Sequence, residues 1–230
     1  MDSTYQQLVQ HIRDEWAEKQ AQGQRRMIIA LAGPPGSGKS TIAQCLVDEV
    51  SKMTASPSIV AIPADGFHLP LATIYAMPNA EEALARRGAP WTFDGDGVVR
   101  LLRELRDASS DGRTVLAPTF DHAIKDPVHD SLAIGPEIQV CIVEGNYLLS
   151  RDAPWDAIAD IADARWLIRV DPNLAVNRIA IRHLAAGIEQ TMEAAVARAV
   201  FNDLPNGEYV MSKSQGRHDL LIDSIEIASK

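Results

Sequence analysis

Cysteine is scarce: the 230-residue chain has two, Cys45 and Cys141, far apart and without a CxxC or Cys/His ligand spacing. That excludes a disulfide framework and a zinc site, and it leaves two buried free thiols as the expectation. Positive charge is also in short supply, with 22 Lys plus Arg against 31 Asp plus Glu for a net charge of -9. Duplex nucleic acid requires a basic face, so no nucleic-acid partner is expected, although a small anion bound locally stays open. No run of about 18 apolar residues occurs. The stretch from Met1 to Arg26 is polar and mixed in charge, unlike a signal peptide. The expectation is a chain that stays in the cytoplasm, away from the membrane. Repeats and low-complexity tracts are missing as well.

What is present suits one α/β domain with a full core, spanning residues 1–230 with room for only a modest lid. Tyr5, Leu8, Val9, Ile12 and Trp16 recur at helical spacing. Residues 1–24 are therefore expected to form an amphipathic helix that docks on the body or on a second copy, which keeps a homodimer open. Met27–Ala32 is wholly apolar and reads as a strand buried on both faces. Similar runs recur at 58–62, 115–117, 138–143 and 164–170, with helical stretches such as 41–53 and 98–108 between them. That alternation indicates a parallel sheet covered by helices. Residues 63–96, rich in Pro, Gly and Ala, are too irregular to extend the sheet, and insertions of this kind tend to carry ligand contacts. Residues 173–201 are helical, rich in Ala and Arg and interrupted at Gly187, and they fit a mobile lid.

Gly33-Pro34-Pro35-Gly36-Ser37-Gly38-Lys39-Ser40 matches GxxxxGK[ST], after a buried strand and before a helix that opens at Thr41. In such a loop the glycines let backbone N–H groups turn inward onto phosphate, and the following helix presents its positive end. Lys39 bridges β- and γ-oxygens and Ser40 holds magnesium. The expected nucleotide-binding set is Gly33, Gly36, Ser37, Gly38, Lys39, Ser40 and Thr41, with ATP and Mg2+ as the ligands.

The loop alone does not choose among GTPases, motors, ATPases and kinases. At the end of the second apolar run, Ala64-Asp65-Gly66-Phe67-His68 puts a carboxylate where it faces the loop across the sheet. Asp65 is then placed to accept a hydroxyl proton; by itself an Asp-Gly pair also reads as a turn. Asp94-Gly95-Asp96-Gly97 imitates both the DxxG of GTPases and the opening of a calcium loop. Val98 stands where that calcium loop needs an acidic or amide residue, and no NKxD signature accompanies it.

In order, GPPGSGKS, ADGFH, RRGAPWTFD, PTFDH and VEGNYLL resemble the uridine kinase, phosphoribulokinase and type I pantothenate kinase superfamily, over roughly residues 28–210. The DGFH, RRG-P-TFD and NDLPN signatures are similar to those of bacterial nucleoside/nucleotide kinase family proteins, including fructose transport system kinases. The resemblance implies a three-layer P-loop fold with an open parallel sheet in strand order 2-3-1-4-5 and a helical lid. It makes Asp65 the general base, with Phe67 and His68 flanking the acceptor pocket. Phe120 and His122 would line that pocket, Arg87 and Asp94 would recognise acceptor hydroxyls or a carboxylate, and Asn202 of NDLP would reach the acceptor. Glu144, following the Walker B strand, would order magnesium. Arg178 and Arg182, four apart and so on one helical face, would close over the γ-phosphoryl group. Ile188 follows Gly187 where uridine kinases carry an arginine, so the lid is not a full copy. The expected reaction is phosphoryl transfer from ATP to a hydroxyl of a small metabolite, a fructose-like sugar or a nucleoside first. The alternative is a regulatory or transport-associated ATPase with no small-molecule acceptor.

Overall fold

The structure is a computed structural model that describes residues 3–54 and 56–224; the remainder of the expected 1–230 domain, residues 1–2, 55 and 225–230, lies outside the described residues. In chain order the elements are α1 (Ser3–Ala21), β1 (Met27–Ala32), α2 (Lys39–Ser51), β2 (Ile59–Pro63), α3 (Leu71–Tyr75), α4 (Ala80–Ala85), α5 (Gly95–Asp111), β3 (Val115–Asp121), β4 (Asp126–Ile134), β5 (Val140–Gly145), α6 (Ile158–Ile161), β6 (Ala164–Val170), α7 (Pro172–Ala185), α8 (Met192–Arg198), α9 (Leu204–Ser214) and β7 (Leu220–Ser224).

Side chains alternate across a strand, so apolar residues at every position of β1 feed two cores. Ile28, Ala30 and Ala32 join Val98, Leu102 and Leu105 of α5 and Ile158 of α6. Met27, Ile29 and Leu31 join Ile42, Leu46 and Val50 of α2 and Leu8, Ile12 and Trp16 of α1. The first helix thus packs on the body. Burying one such Leu or Ile contributes about 1.5–3 kcal/mol, and the two layers leave β1 and β5 buried at every residue. Helix α5 shows how local chemistry sets a boundary. Asp94 caps its start by accepting from the Gly97 N–H, and Gly112 ends it in the left-handed region at φ +73°.

The five-stranded sheet runs β2-β5-β1-β6-β7 with every pairing parallel. Counted along this sheet alone, that is the expected order 2-3-1-4-5. Two expectations need correction. Residues 115–117 do not enter the parallel sheet but open β3, which pairs antiparallel with β4 in a separate hairpin. A four-residue connection can return a chain only antiparallel, since a parallel neighbour needs a long crossover. The fifth parallel strand is instead β7, where Ile222 is the one residue that is buried. Strand starts also shift by one or two residues, to Ile59 and Val140. In the resulting register Pro63 and Leu31 both lie opposite Glu144, and Ala32 opposite Gly145. The ends of three neighbouring strands therefore bring Gly33, Asp65 and Glu144 to one edge. Of the two free thiols, Cys141 is buried in β5 as expected, whereas Cys45 on α2 is only half-buried.

Candidate active site

Between β1 and α2 the loop turns through Gly36 at φ +74° and Gly38 at φ +87°, a region that L side chains rarely adopt. A Cβ on Gly36 would also meet the Ala175 carbonyl of α7 at 2.7 Å. Helix α2 starts without a side-chain cap, which leaves its positive end open to an anion. Lys39 is buried, with Nζ donating to the carbonyls of Gly33 (2.9 Å) and Pro34 (3.0 Å) and to Asn146 Oδ1 (2.8 Å). Burial pulls its pKa down, opposed by Glu144 and Asp65 and reinforced by Arg182. Ser40 Oγ donates to Glu144 Oε1 at 2.7 Å. Burial pushes the Glu144 carboxyl above the usual range; Lys39 and the Ser40 hydrogen bond work against that, and Asp65 adds to it. Two oxygen donors side by side suit a hard cation such as Mg2+, which keeps several waters. Ser37 is buried behind the loop and Thr41 is exposed on the first turn of α2.

Across this edge, Asp65 sits exposed in a 3-10 turn, Ala64–Phe67, directly after β2. Gly66 lets β3 cross closely: a Cβ there would lie 2.2 Å from the Pro118 carbonyl. A recess of about 260 Å3 is lined by Ser40, Gln44, Asp65, Phe120, His122 and Glu144, among others. It joins the expected magnesium residues to three of the expected acceptor residues, Asp65, Phe120 and His122, in one space. Two larger depressions, about 430 Å3 each, include no residue of the loop or of this recess.

Rings continue the wall on the expected acceptor side. His68 stacks on Phe93 at 4.0 Å and on Phe120 at 4.9 Å, and Phe120 meets His122 edge-on at 5.3 Å. Burial holds the His68 pKa down, while Asp65 and its carbonyl, 2.8 Å from Nδ1, act the other way. The Arg87 guanidinium lies 5.5 Å from the Phe120 ring centre and donates to Asp126 and to the carbonyls of Leu69 and Lys125.

Three expected site residues point elsewhere. Phe67 does not flank the recess; the turn sends it into the core against α5. Asp94 has one carboxylate oxygen on the Gly97 N–H and the other on Arg100, as a helix cap. Asn202 is buried where the helical path widens into a π turn between α8 and α9 (Ala199–Asp203). Its amide donates to the Arg87 carbonyl at 3.1 Å, so it braces Arg87 rather than facing the recess. In α7, Arg178 grips the Gly36 carbonyl (3.2 Å) and Ser224 Oγ (2.8 Å), and Arg182 is exposed one turn further on.

Sequence reasoning passed over Asn146, Tyr147, Arg86 and Asp126. Asn146 and Tyr147 stood inside the VEGNYLL motif, which was the available signal. Arg86, which binds the Phe201 carbonyl and Asn206, stood first in the RRGAPWTFD motif, which was its signal.

A parallel sheet in this order, with the phosphate loop after β1 and carboxylates at the ends of its neighbour β5 and of β2, the next strand along, is the arrangement of the P-loop kinase class. No protein-family model matches the chain. It is 38% identical over 207 residues to the Schizosaccharomyces pombe protein named "Putative uridine kinase", covering 89% of this chain and 86% of that one. The crystal structure of a "putative fructose transport system kinase" from Silicibacter sp. TM1040 superposes with a TM-score of 0.82 at 32% identity, covering 95% and 98% of the two chains. YFH7 of Saccharomyces cerevisiae shares the fold, with a TM-score of 0.81 at 20% identity and coverage of 95% and 98%. The chain belongs to the uridine kinase-like family of ATP-dependent P-loop kinases. Among the described residues no helix is long and apolar enough to cross a membrane.

Proposed function

We propose that this kinase moves the γ-phosphoryl group of Mg-ATP onto a hydroxyl of a small metabolite, a fructose-like sugar or a nucleoside. The observation that carries the reading is the shared recess, in which an exposed carboxylate, Asp65, faces the Ser40–Glu144 pair. Phosphoryl transfer is mostly positioning and charge neutralisation. Gly33 to Ser40 seat the phosphates, and Lys39 exchanges its protein acceptors for phosphate oxygens. Ser40 and Glu144 would hold magnesium, which supplies charge neutralisation at the β- and γ-phosphates when bound. Asp65 orients the attacking hydroxyl and takes its proton, and its exposure suits a group that meets a diffusing acceptor. Phe120, His68 and His122 shape the wall against which the acceptor lies, and Arg182, unlike Arg178, is free to swing toward the transferring group as the lid closes and excludes water.

The test is ADP release with Mg-ATP against a panel of sugars, nucleosides and pantothenate, for the native protein and Asp65→Asn. One acceptor should raise turnover well above background, and the substitution should remove about 10²–10⁴-fold of that gain while nucleotide still binds. Equal slow hydrolysis in both proteins with every acceptor would replace the transferase by a regulatory ATPase.

A further inference from the structure

Of the polar side chains that line the recess of about 260 Å3, three are committed to protein partners and three are not. Ser40 Oγ donates to Glu144 Oε1 at 2.7 Å, and Thr119 Oγ1 lies 2.7 Å from Ser131 Oγ. The Asp65 carboxylate and the His122 ring make no hydrogen bond among the described residues, Asp65 engaging His68 only through its backbone carbonyl. The third is the Gln44 amide, of which one end alone is bonded. Asp65 and His122 already have a part in the proposed transfer, as base and as wall. Gln44 has none.

Gln44 stands four residues after Ser40 on α2, so the two side chains share a helix face and lie about 6 Å apart along it. The Ser40 end of that face carries the oxygen pair suited to magnesium. The Gln44 end continues the same recess, beside Ala43, Ala61 and Pro63, whose side chains cannot hydrogen-bond. The orientation of the amide follows from its partner. Nε2 donates to Asp48 Oδ1 at 2.8 Å, and since a carboxylate accepts but does not donate, the nitrogen is the atom turned to Asp48. The carbonyl Oε1 is left without a partner among the described residues. An exposed Gln–Asp pair one turn apart is by itself an ordinary helix-surface contact. This one differs in its place, because it holds an open acceptor atom at the edge of the space that Asp65 faces. A ligand group that meets Oε1 must be a donor, and on a small hydroxylic acceptor that donor is a hydroxyl.

We propose that Gln44 is a specificity-determining residue of the acceptor site: while one hydroxyl of the acceptor meets Asp65, a second donates to Gln44 Oε1. The inference rests on the transfer reading proposed above. It narrows the acceptor to a compound with at least two hydroxyls on one small frame, a polyol or a sugar ring, free or within a nucleoside. Asp48 acts through Gln44, as the positioning residue that keeps the carbonyl turned away from the helix surface pair.

Steady-state kinetics of the native protein and Gln44→Ala test it, with fructose, ribose and uridine as acceptors, the monodeoxy analogues of each, and saturating Mg-ATP. Gln44 is exposed and alanine favours a helix, so the variant should fold, as its urea midpoint will show. For an acceptor that the native protein turns over, the substitution should raise KM about fivefold or more at unchanged kcat, the scale of one neutral hydrogen bond. The ATP KM should stay within about twofold. Among the analogues still phosphorylated, one should bind the native protein more weakly by a similar factor and be indifferent to the substitution, because the hydroxyl that Gln44 reads is already gone. A merely structural glutamine would shift parent and analogues alike. Asp48→Ala, which frees the amide to rotate, should show the same pattern at about twofold. A native acceptor KM in Gln44→Ala, or an equal rise with every analogue, overturns the assignment of Gln44 and leaves the transfer reading standing. No acceptor-dependent turnover by the native protein overturns the transfer reading itself, and the assignment falls with it.

Discussion

The two sides of the recess are built from different material. On the phosphate side β1 and β5 are buried along their whole length, and Lys39 and Glu144 are 8% and 6% exposed. On the acceptor side Asp65 and His122 are exposed, and their supports are a 3-10 turn and a hairpin whose outer strand is largely in solvent. A strand covered on both faces cannot shift a side chain without disturbing two packed layers. A hairpin that buries Val115, Ala117 and Ile134 at its base but is held near its tip by polar contacts such as Arg87 to Asp126 can shift at that tip. On the function proposed above, the difference leaves the phosphate chemistry to the core and the choice of acceptor to elements able to adapt.

The severest way to break this comparison is at Glu144. Glu144→Gln should lower acceptor-dependent turnover by about 10²–10³-fold, the scale of losing one fixed charge at a reacting centre. It should also raise the magnesium concentration needed for half-maximal rate. Since burial pushes the Glu144 carboxyl up, its protonation begins at higher pH than for a free glutamate. The native magnesium requirement should therefore steepen as pH falls through that raised value, read from rates against magnesium at several pH values. A smaller effect sharpens the contrast. Arg87→Ala should raise the acceptor KM by roughly tenfold and leave the ATP KM within about twofold. An equal rise in both would mean that the two sides do not act separately.

The smallest effect is expected away from both sides, at Asp219, where Arg165 of β6 grips the residue that precedes β7. Asp219→Asn should cost no more than about 1 kcal/mol in urea unfolding at pH 7, because the pair is partly exposed and screened. Arg165 holds the Asp219 pKa down. The pair's contribution is thus present above the unfolded carboxylate range and lost as pH falls through the lower folded value, so native and variant should converge on acidification. Turnover should be unchanged.

Legibility in the sequence followed the range of the interactions. The phosphate loop, the strand before it and α2 were readable because turn glycines, apolar runs and helical periodicity act within a dozen residues. Glu144 and Asp65 were readable for a related reason, each closing an apolar run. Strand β7 was missed because it is a short edge strand with Ile222 alone buried. The β3–β4 hairpin was missed because residues 115–117 look like any buried strand until their partner is known. Phe67 and Asp94 carried the right residue types within the right motifs, yet turn direction and helix capping sent them to packing and to a cap.

By itself, then, the chain determined its local frames: the glycine turns of the phosphate loop, the two-faced strands and the helical runs between them. Only the tertiary structure decided which of these frames meet. Ser40 and Glu144 are 104 positions apart, and Tyr147 and Gly88 are 59 apart. Strand register and the burial that enforces it are properties of distant segments packed together, so no local pattern could announce that a serine after the phosphate loop meets a glutamate at the end of β5.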